Sequence, residues 1–407
     1  MHKLPNSSNC TGCCACIDAC QKKALSRHID KNGFVEILTD QTLCISCRAC
    51  ERICPVKNHP SPMEVGKPFW CWSKDENVRA SSTSGGAFAQ LAYDFFNRYQ
   101  DAVVVGAQLV DGKRVSHIAI TSPEDIILLQ GSKYLQSNTI GIYNQVALLL
   151  RNGKHVLFSG TPCQIAAMKN RCPHQFEDHL FTVEVICHGI PSEVHFDMSL
   201  QLNQSTKILK FREKIGNQWN IGCNPLYEHS VLEYRSYFYD CFFNDLFLKT
   251  ACYNCAFAKI PRVADISIAD GWGIQKSGIN EEVYKKGASL ILLNSKKGES
   301  IVRYDSFELY KAKWNHFIPF NPCVVTNLSY LKPLSLSRYI HFILYNFPIE
   351  LAKYIFTLKS PKKGWGLVAK PYIIIMLNLK AYLAKRKDKK VKKFLKEKGN
   401  IRNIWNI

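Results

Sequence analysis

The sequence predicts three parts in series: a small cysteine-rich α+β domain, an α/β domain, and a helical, basic C-terminal tail. Three observations carry that expectation. Residues 10–54 hold two matching cysteine blocks. From about residue 69 to residue 300, β-type runs alternate with helical patterns, as in α/β layer structures. From Lys359 to Arg402, fifteen Lys and Arg stand against Asp388 and Glu397, which is +13 of the formal net charge of +20. The 407 residues suffice for about two or three domains. The expected boundaries are 1–60, 69–330 and 335–407.

The first block is Cys10, Cys13, Cys16 and Cys20; the second is Cys44, Cys47, Cys50 and Cys54, followed at once by Pro55. The blocks repeat at an offset of 34 residues, with the spacing of a bacterial two-cluster ferredoxin. In that arrangement the fourth cysteine of each block ligates the other block's cluster. Cys10, Cys13 and Cys16 are therefore expected to hold one [4Fe–4S] cluster with Cys54. Cys44, Cys47 and Cys50 are expected to hold a second with Cys20. Two-residue gaps let three sulfurs point into one turn, and the three-residue gap turns the fourth away. Pro55 ends its turn and fixes the backbone. The first block has Gln21 at that place, and it carries an extra thiol, Cys14, expected to be a bystander. A disulfide scaffold does not suit a chain this long, and zinc favours two spaced pairs. Met1–Asn9 is short and polar, unlike a secretory leader. Eighteen cysteines then imply a reducing compartment, hence a cytoplasmic location.

The elements follow in order. Asp30–Gly33 is a turn signal between short β-type runs, the hairpin of a ferredoxin-like α+β domain. Pro55, Pro60, Pro62 and Pro68 mark a linker. Residues 81–86, all Ser, Thr or Gly, lead into a helix with apolar Phe88, Leu91, Ala92, Phe95, Phe96 and Tyr99. Small residues there leave backbone N–H groups free for a phosphate, or simply cap the helix. Residues 102–110 and 116–120 are strands that can pair. Residues 131–134 form a polar turn containing Lys133. Residues 155–158 form a strand running into Thr161 as N-cap and Pro162 as first helical residue. Cys163 then sits in the first turn, where the helix dipole favours a thiolate. A strand over 180–186 delivers Cys187, His188 and Gly189. Cys252 and Cys255 form a CxxC pair. Residues 264–273 are a strand with a glycine-rich end, 287–294 are another strand, and Gly298 precedes a helix.

Spacing alone leaves Cys163, Cys187, Cys252 and Cys255 open between a shared third cluster, a zinc half-site, a redox dithiol and unrelated buried thiols. Cys163 and Cys187 both follow strands, where α/β folds gather ligands. The stretches SGGAF (84–88), GSKYLQS (131–137), SGTPCQI (159–165), ICHGIPS (186–192), CYNC (252–255) and ADISIADGWGI (264–274) resemble the family of coenzyme F(420)-reducing hydrogenase/dehydrogenase beta subunits. The resemblance covers about residues 69–300, and the cysteine blocks ahead of it match the family's form fused to a ferredoxin domain. It implies an α/β flavin-binding domain with FAD and a third [4Fe–4S] cluster on Cys163, Cys187, Cys252 and Cys255. It also implies flavin contacts at Ser84, Gly85 and Gly86, at Gly131, Ser132, Lys133 and Tyr134, and at Asp270, Gly271 and Gly273. Lys133 would place a positive charge near the flavin. The family resembles the chlorophyll-cycle hydroxymethyl reductases too, so membership does not fix the substrate. Cys71, Cys172, Cys223, Cys241 and Cys323 match no motif and are expected to be structural. His188 is expected to pack or hydrogen-bond locally.

In the tail, the apolar run 371–383 leads into a lysine cluster at 385–393. Such a pair suits an anchor on an anionic membrane surface at the inner face, with a solvated basic helix as the plain alternative. Nucleic acid is disfavoured as a partner. The run 371–379 falls well short of the roughly 20 residues that span a bilayer. The function expected is an iron–sulfur flavoprotein oxidoreductase. Electrons would come from a redox partner protein or ferredoxin-type donor, pass the clusters to FAD, and leave to an unidentified acceptor. The alternatives are a non-catalytic electron-transfer subunit and a membrane-associated protein with structural clusters.

Overall fold

Between the cysteine blocks, β1 (Leu25–Ile29) pairs antiparallel with β2 (Val35–Thr39). Asp30 sets the turn, its Oδ1 accepting the N–H groups of Asn32 at 2.8 Å and Phe34 at 2.9 Å. Gly33 takes φ +78° there, a conformation glycine adopts without steric cost. Each block runs into one short helix, Ala15–Ala19 or Ala49–Ile53. The structure, a computed structural model, describes residues 4–212, 214, 219, 226–227, 238–239, 242 and 248–325. The expected tail at 335–407, Cys223 and Cys241 lie outside the described residues.

The strands that follow are β3 (Lys67–Ser73), β4 (Val103–Val110), β5 (Arg114–Ile120), β6 (Val156–Gly160) and β7 (Leu180–Val185). Then come β8 (Ile208–Lys210), β9 (Leu226–Tyr227), β10 (Ile266–Asp270), β11 (Ser289–Leu293) and β12 (Phe307–Lys311). Eight of them form one sheet in the order β12-β3-β11-β10-β7-β6-β4-β5, while β8 and β9 pair separately. The centre, β4, β6, β7 and β10, is parallel, and both flanks are antiparallel. The fold is therefore mixed α/β, with the expected parallel layer confined to the middle. The three-residue link between β4 and β5 can only join antiparallel neighbours.

Parallel strands covered on both faces read as continuous apolar runs, and Val156, Leu157 and Phe158 are fully buried. Val103, Val105, Val156 and Phe158 pack under the helices Ile142–Arg151 and Pro162–Arg171, together with the cysteine blocks. Val104 and Leu157 pack on the other face with the helix Ala87–Arg98. The last helix named above starts earlier than its glycine suggested. It spans Lys296–Ser300, capped by Ser295, so Gly298 lies inside it.

The proline-rich stretch is not a free linker. Met63 N–H donates to the Arg262 carbonyl at 2.7 Å and Glu64 N–H to that of Asn294 at 3.1 Å. The block unit is also pinned from within. The Asp18 carboxylate accepts the N–H groups of Gly141 (2.6 Å), Tyr143 (3.2 Å) and Asn144 (3.4 Å), capping the helix Ile142–Arg151. Thr139 and Tyr143 both donate to the Cys13 carbonyl, at 2.7 and 2.9 Å. Among the described residues, no helix is long and apolar enough to cross a membrane.

Candidate functional site

The two cysteine loops share a backbone trace. Gly12 and Ser46 are left-handed (φ +69° and +54°), and so are Cys14 and Arg48 (φ +58° and +60°). Left-handed residues bend each loop back on itself, and the short helix after it carries the third thiol of the block. Two cavities result. An inner one is lined by Cys10, Cys13, Cys16 and Cys54. An outer one, of about 190 Å³, is lined by Cys20, Cys44, Cys47 and Cys50. Each wall thus takes three thiols from one block and the fourth from the other. Cys14 also reaches the inner wall, and its buried thiol donates to the Gly12 carbonyl at 3.4 Å. Burial, then the neighbouring thiols, push Cys16 well above the ordinary thiol range.

β6 and β7 are adjacent and parallel, so their C-terminal ends share one sheet edge. From β6 the chain enters the helix Pro162–Arg171 through a capping box, in which Thr161 N–H donates to Gln164 Oε1 at 2.9 Å. Cys163 is in its first turn, with Sγ 3.2 Å from the Thr161 hydroxyl. Cys187 follows the end of β7, and Cys252 lies in the helix Thr250–Tyr253, where its sulfur accepts the Ile190 N–H at 3.4 Å. Burial raises Cys187 far above the ordinary thiol range, and Cys252, Cys163 and Cys255 raise it further. Burial also pushes Cys163 up to about 11 and Cys252 up to about 12, with Cys255 adding to both. The fold therefore brings these four thiols into one electrostatic neighbourhood, and Cys163 in turn acts on Cys13. Among the described residues, no group of three His, Cys, Asp or Glu side chains is set to hold a single metal ion, in this quartet or in the block quartets.

A larger cavity, about 330 Å³, opens at the same sheet edge. Ser84 and Gly86 line it from one side, Gly131, Ser132, Lys133 and Tyr134 from another, and Asp270 from the end of β10. Cys187 borders it as well. Gly85, Gly271 and Gly273 do not line it. A Cβ on Gly85 would meet the Cys71 carbonyl at 2.5 Å and Ser289 N at 2.7 Å, so this glycine serves a close backbone approach. The N-cap of the helix Ala87–Arg98 is Gly86 (φ +84°), with no side-chain cap, and Ala87, Phe88 and Ala89 of its first turn line the cavity. Lys133 Nζ donates to the carbonyls of Leu129 (2.7 Å) and Gln130 (2.5 Å), and burial lowers the ammonium to about 7.

Two neighbours of this cavity carry no signal in the sequence. His117, on β5, stacks on Phe158 with Nε2 3.0 Å from the Ser159 carbonyl; burial holds it near 4, and Nδ1 is buried without a partner. Arg212 pairs with Asp270 at 2.6 Å and sits 5.5 Å over the Trp272 ring, which stacks on Trp219. His188 packs against Phe242, 3.3 Å from its carbonyl. Cys71, Cys172 and Cys323 are buried.

Residues 69–143 match the family described as the N-terminal part of the coenzyme F420 hydrogenase/dehydrogenase beta subunit, and residues 153–309 match the family described as its C terminus. The F subunit of the F(420)H(2) dehydrogenase of Methanosarcina mazei is 25% identical over 170 residues, 39% of this chain. The chain spans about half, 47%, of that relative's length. A solved chain of the F420-reducing [NiFe] hydrogenase complex from Methanosarcina barkeri is 18% identical with a TM-score of 0.45, covering 76% of this chain and 98% of that one. With both halves matched in order, the chain belongs to the family of coenzyme F420 hydrogenase/dehydrogenase beta subunits.

Proposed function

We propose that this chain is an iron–sulfur flavoprotein oxidoreductase. Cys10, Cys13, Cys16 and Cys54 would hold one [4Fe–4S] cluster, and Cys44, Cys47, Cys50 and Cys20 a second. Cys163, Cys187, Cys252 and Cys255 would hold a third, and FAD would occupy the cavity at the sheet edge. The observation that carries this reading is the composition of the inner and outer cavities, each walled by the crossed quartet that cluster ligation requires. When bound, the clusters supply one-electron transfer and the flavin couples it to two-electron chemistry.

The chain's own residues do the positioning. The uncapped helix start at Gly86 presents backbone N–H groups to an anionic group in the cavity. Lys133 has two N–H donors committed to carbonyls, which leaves its third for a phosphate oxygen. Asp18, Thr139 and Tyr143 hold the block unit at a set distance from the sheet. Cys187 belongs to the third quartet and also borders the large cavity, so the two sites adjoin. A redox partner protein would exchange electrons at the block unit, and the acceptor at the flavin is an unidentified small molecule. A second reading, a non-catalytic electron-transfer subunit, is favoured because the Methanosarcina mazei relative is named as one part of a larger dehydrogenase. The lysine-rich tail would add a contact with anionic lipid at the inner face of the membrane.

Anaerobic purification with iron, sulfide and flavin counts tests the proposal. About twelve irons and one FAD per chain are expected from three cubanes and one flavin. About eight irons together with zinc would move Cys252 and Cys255 to a zinc site. Colourless, flavin-free protein would overturn the reading.

A further inference from the structure

Resting on that cluster assignment, we propose that the rim of the outer cavity is the docking surface for an acidic one-electron carrier protein, and so the port through which the chain exchanges electrons. The two cavities of the block unit are not equivalent. The apolar cluster that reaches Cys163 and Cys255 takes in Cys13 and Cys16 of the inner quartet and Cys20 and Cys50 of the outer one, but Cys13 is the block thiol that the Cys163 charge acts on, and it is buried. The outer quartet includes Cys47, which is exposed to solvent, and its rim carries Ile45 at 63% exposure, with Leu43 beside it at 47%. Lys22, Arg48 and Arg52 line this cavity, and no Asp or Glu does. Asp40 lies outside the lining, three residues before Leu43, with its carboxylate accepting the Thr42 N–H at 2.8 Å and hydroxyl at 2.6 Å. Glu51 lies on the helix Ala49–Ile53 between the lining residues Cys50 and Arg52 and is not itself in the lining.

An apolar tip ringed by cations is complementary to a partner with an apolar centre and an acidic rim. Such charge pairing steers encounter, raising association rates by about 10- to 1,000-fold at low ionic strength. The thiols with the shortest path to solvent then lie where the partner is drawn.

The test uses the anaerobic full-length holoprotein and reduced flavodoxin, an acidic one-electron carrier whose blue semiquinone reports each transfer. Stopped-flow rates are compared for wild type, Lys22→Glu/Arg48→Glu and Ile45→Asp, with Lys113→Glu/Lys311→Glu as a charge-matched control elsewhere on the surface. Arg52 is left alone because its Nη1 donates to the Cys47 carbonyl at 3.1 Å. At low salt both rim variants should slow the second-order rate by about tenfold or more; the effect of Lys22→Glu/Arg48→Glu should vanish at high salt, while Ile45→Asp, which also removes an apolar contact, should stay slow. Because these residues also line the outer cavity, iron content and dithionite reduction are measured for every variant and each rate is expressed per filled outer cluster. Rim variants as fast as wild type, or a control pair equally slow, would overturn the port and assign the attraction to the basic tail or to net charge. A wild-type chain lacking the block irons would overturn the cluster assignment instead, and the port with it.

Discussion

Cys54 belongs to the second block by its place in the chain and to the first by its place in the fold, so Cys54→Ala separates the two descriptions. The inner cavity would lose one of the four thiols expected to ligate its cluster while the outer quartet stays complete. Iron should fall from about twelve to about eight per chain, one cubane's worth. The thiols left behind then differ in reactivity. Cys10 is partly exposed, whereas Cys13 and Cys16 are 8% and 9% exposed. Brief anaerobic alkylation followed by peptide mass spectrometry should therefore label Cys10 first. Cys47 is the more exposed thiol in the folded chain, yet it should stay protected because its cluster is intact. Cys20→Ala should reverse the pattern, protecting Cys10 and releasing Cys44 and Cys47. Labelling of Cys47 with protection of Cys10 in Cys54→Ala would refute the crossed assignment, whatever the iron count.

Three further outcomes are expected. Asp18→Ala removes the acceptor for three N–H groups at the start of the helix Ile142–Arg151; the loss should be about 1–2 kcal/mol in urea unfolding, mostly recovered by Asn. Arg262→Gln strands Glu184, which is fully buried and paired with Arg262 and Ser267; a cost of about 3–5 kcal/mol is expected, and the double change Arg262→Met/Glu184→Leu should regain most of it. Burial holds Lys133 near 7, so it is charged below that pH and neutral above; FAD affinity of the apoprotein, read by flavin fluorescence, should fall as pH rises through about 7, and Lys133→Met should bind weakly without that slope.

What the sequence discloses is what short spans encode. β4, β6 and β7 lie within two residues of their apolar runs and β10 within three, because these central strands are covered on both faces and need no partner to be recognised. The crossed quartets follow from spacing, since the two loops fold alike at an offset of 34 residues, as the paired left-handed positions at Gly12 and Ser46 show. The antiparallel flank formed by β3, β11 and β12 was not legible, because its pairing depends on chain segments more than 200 residues apart. Arg212 and His117 escaped for the same reason. Neither sits in a motif, and each gains its neighbours only when the sheet closes. Three glycines grouped with the flavin contacts were harder still. Gly85 is glycine so that β3 and β11 can approach, a requirement of the wall behind the cavity.

The prolines between the units suggested a linker, and a linker would allow the block unit to swing. The contacts argue otherwise. Gln136 donates to the carbonyls of Thr11 and Gly12, Lys249 to that of Val35, Ser192 to that of Asn32 and Asn170 to that of Asn58, beside the bonds of Thr139 and Tyr143 to Cys13. Arg27 adds an ion pair with Glu193 at 2.9 Å. At about 1 kcal/mol net for each of these seven hydrogen bonds, releasing the unit costs about 7 kcal/mol before any apolar contact is counted. A detached state would then be populated by fewer than about one molecule in a thousand. The spacing between thiol quartets is thus a property of the folded core, set by backbone carbonyls on the cysteine loop itself. On the port proposed above, a partner protein would meet a block unit held against the sheet through its first cysteine loop and its hairpin, not one swinging on a linker.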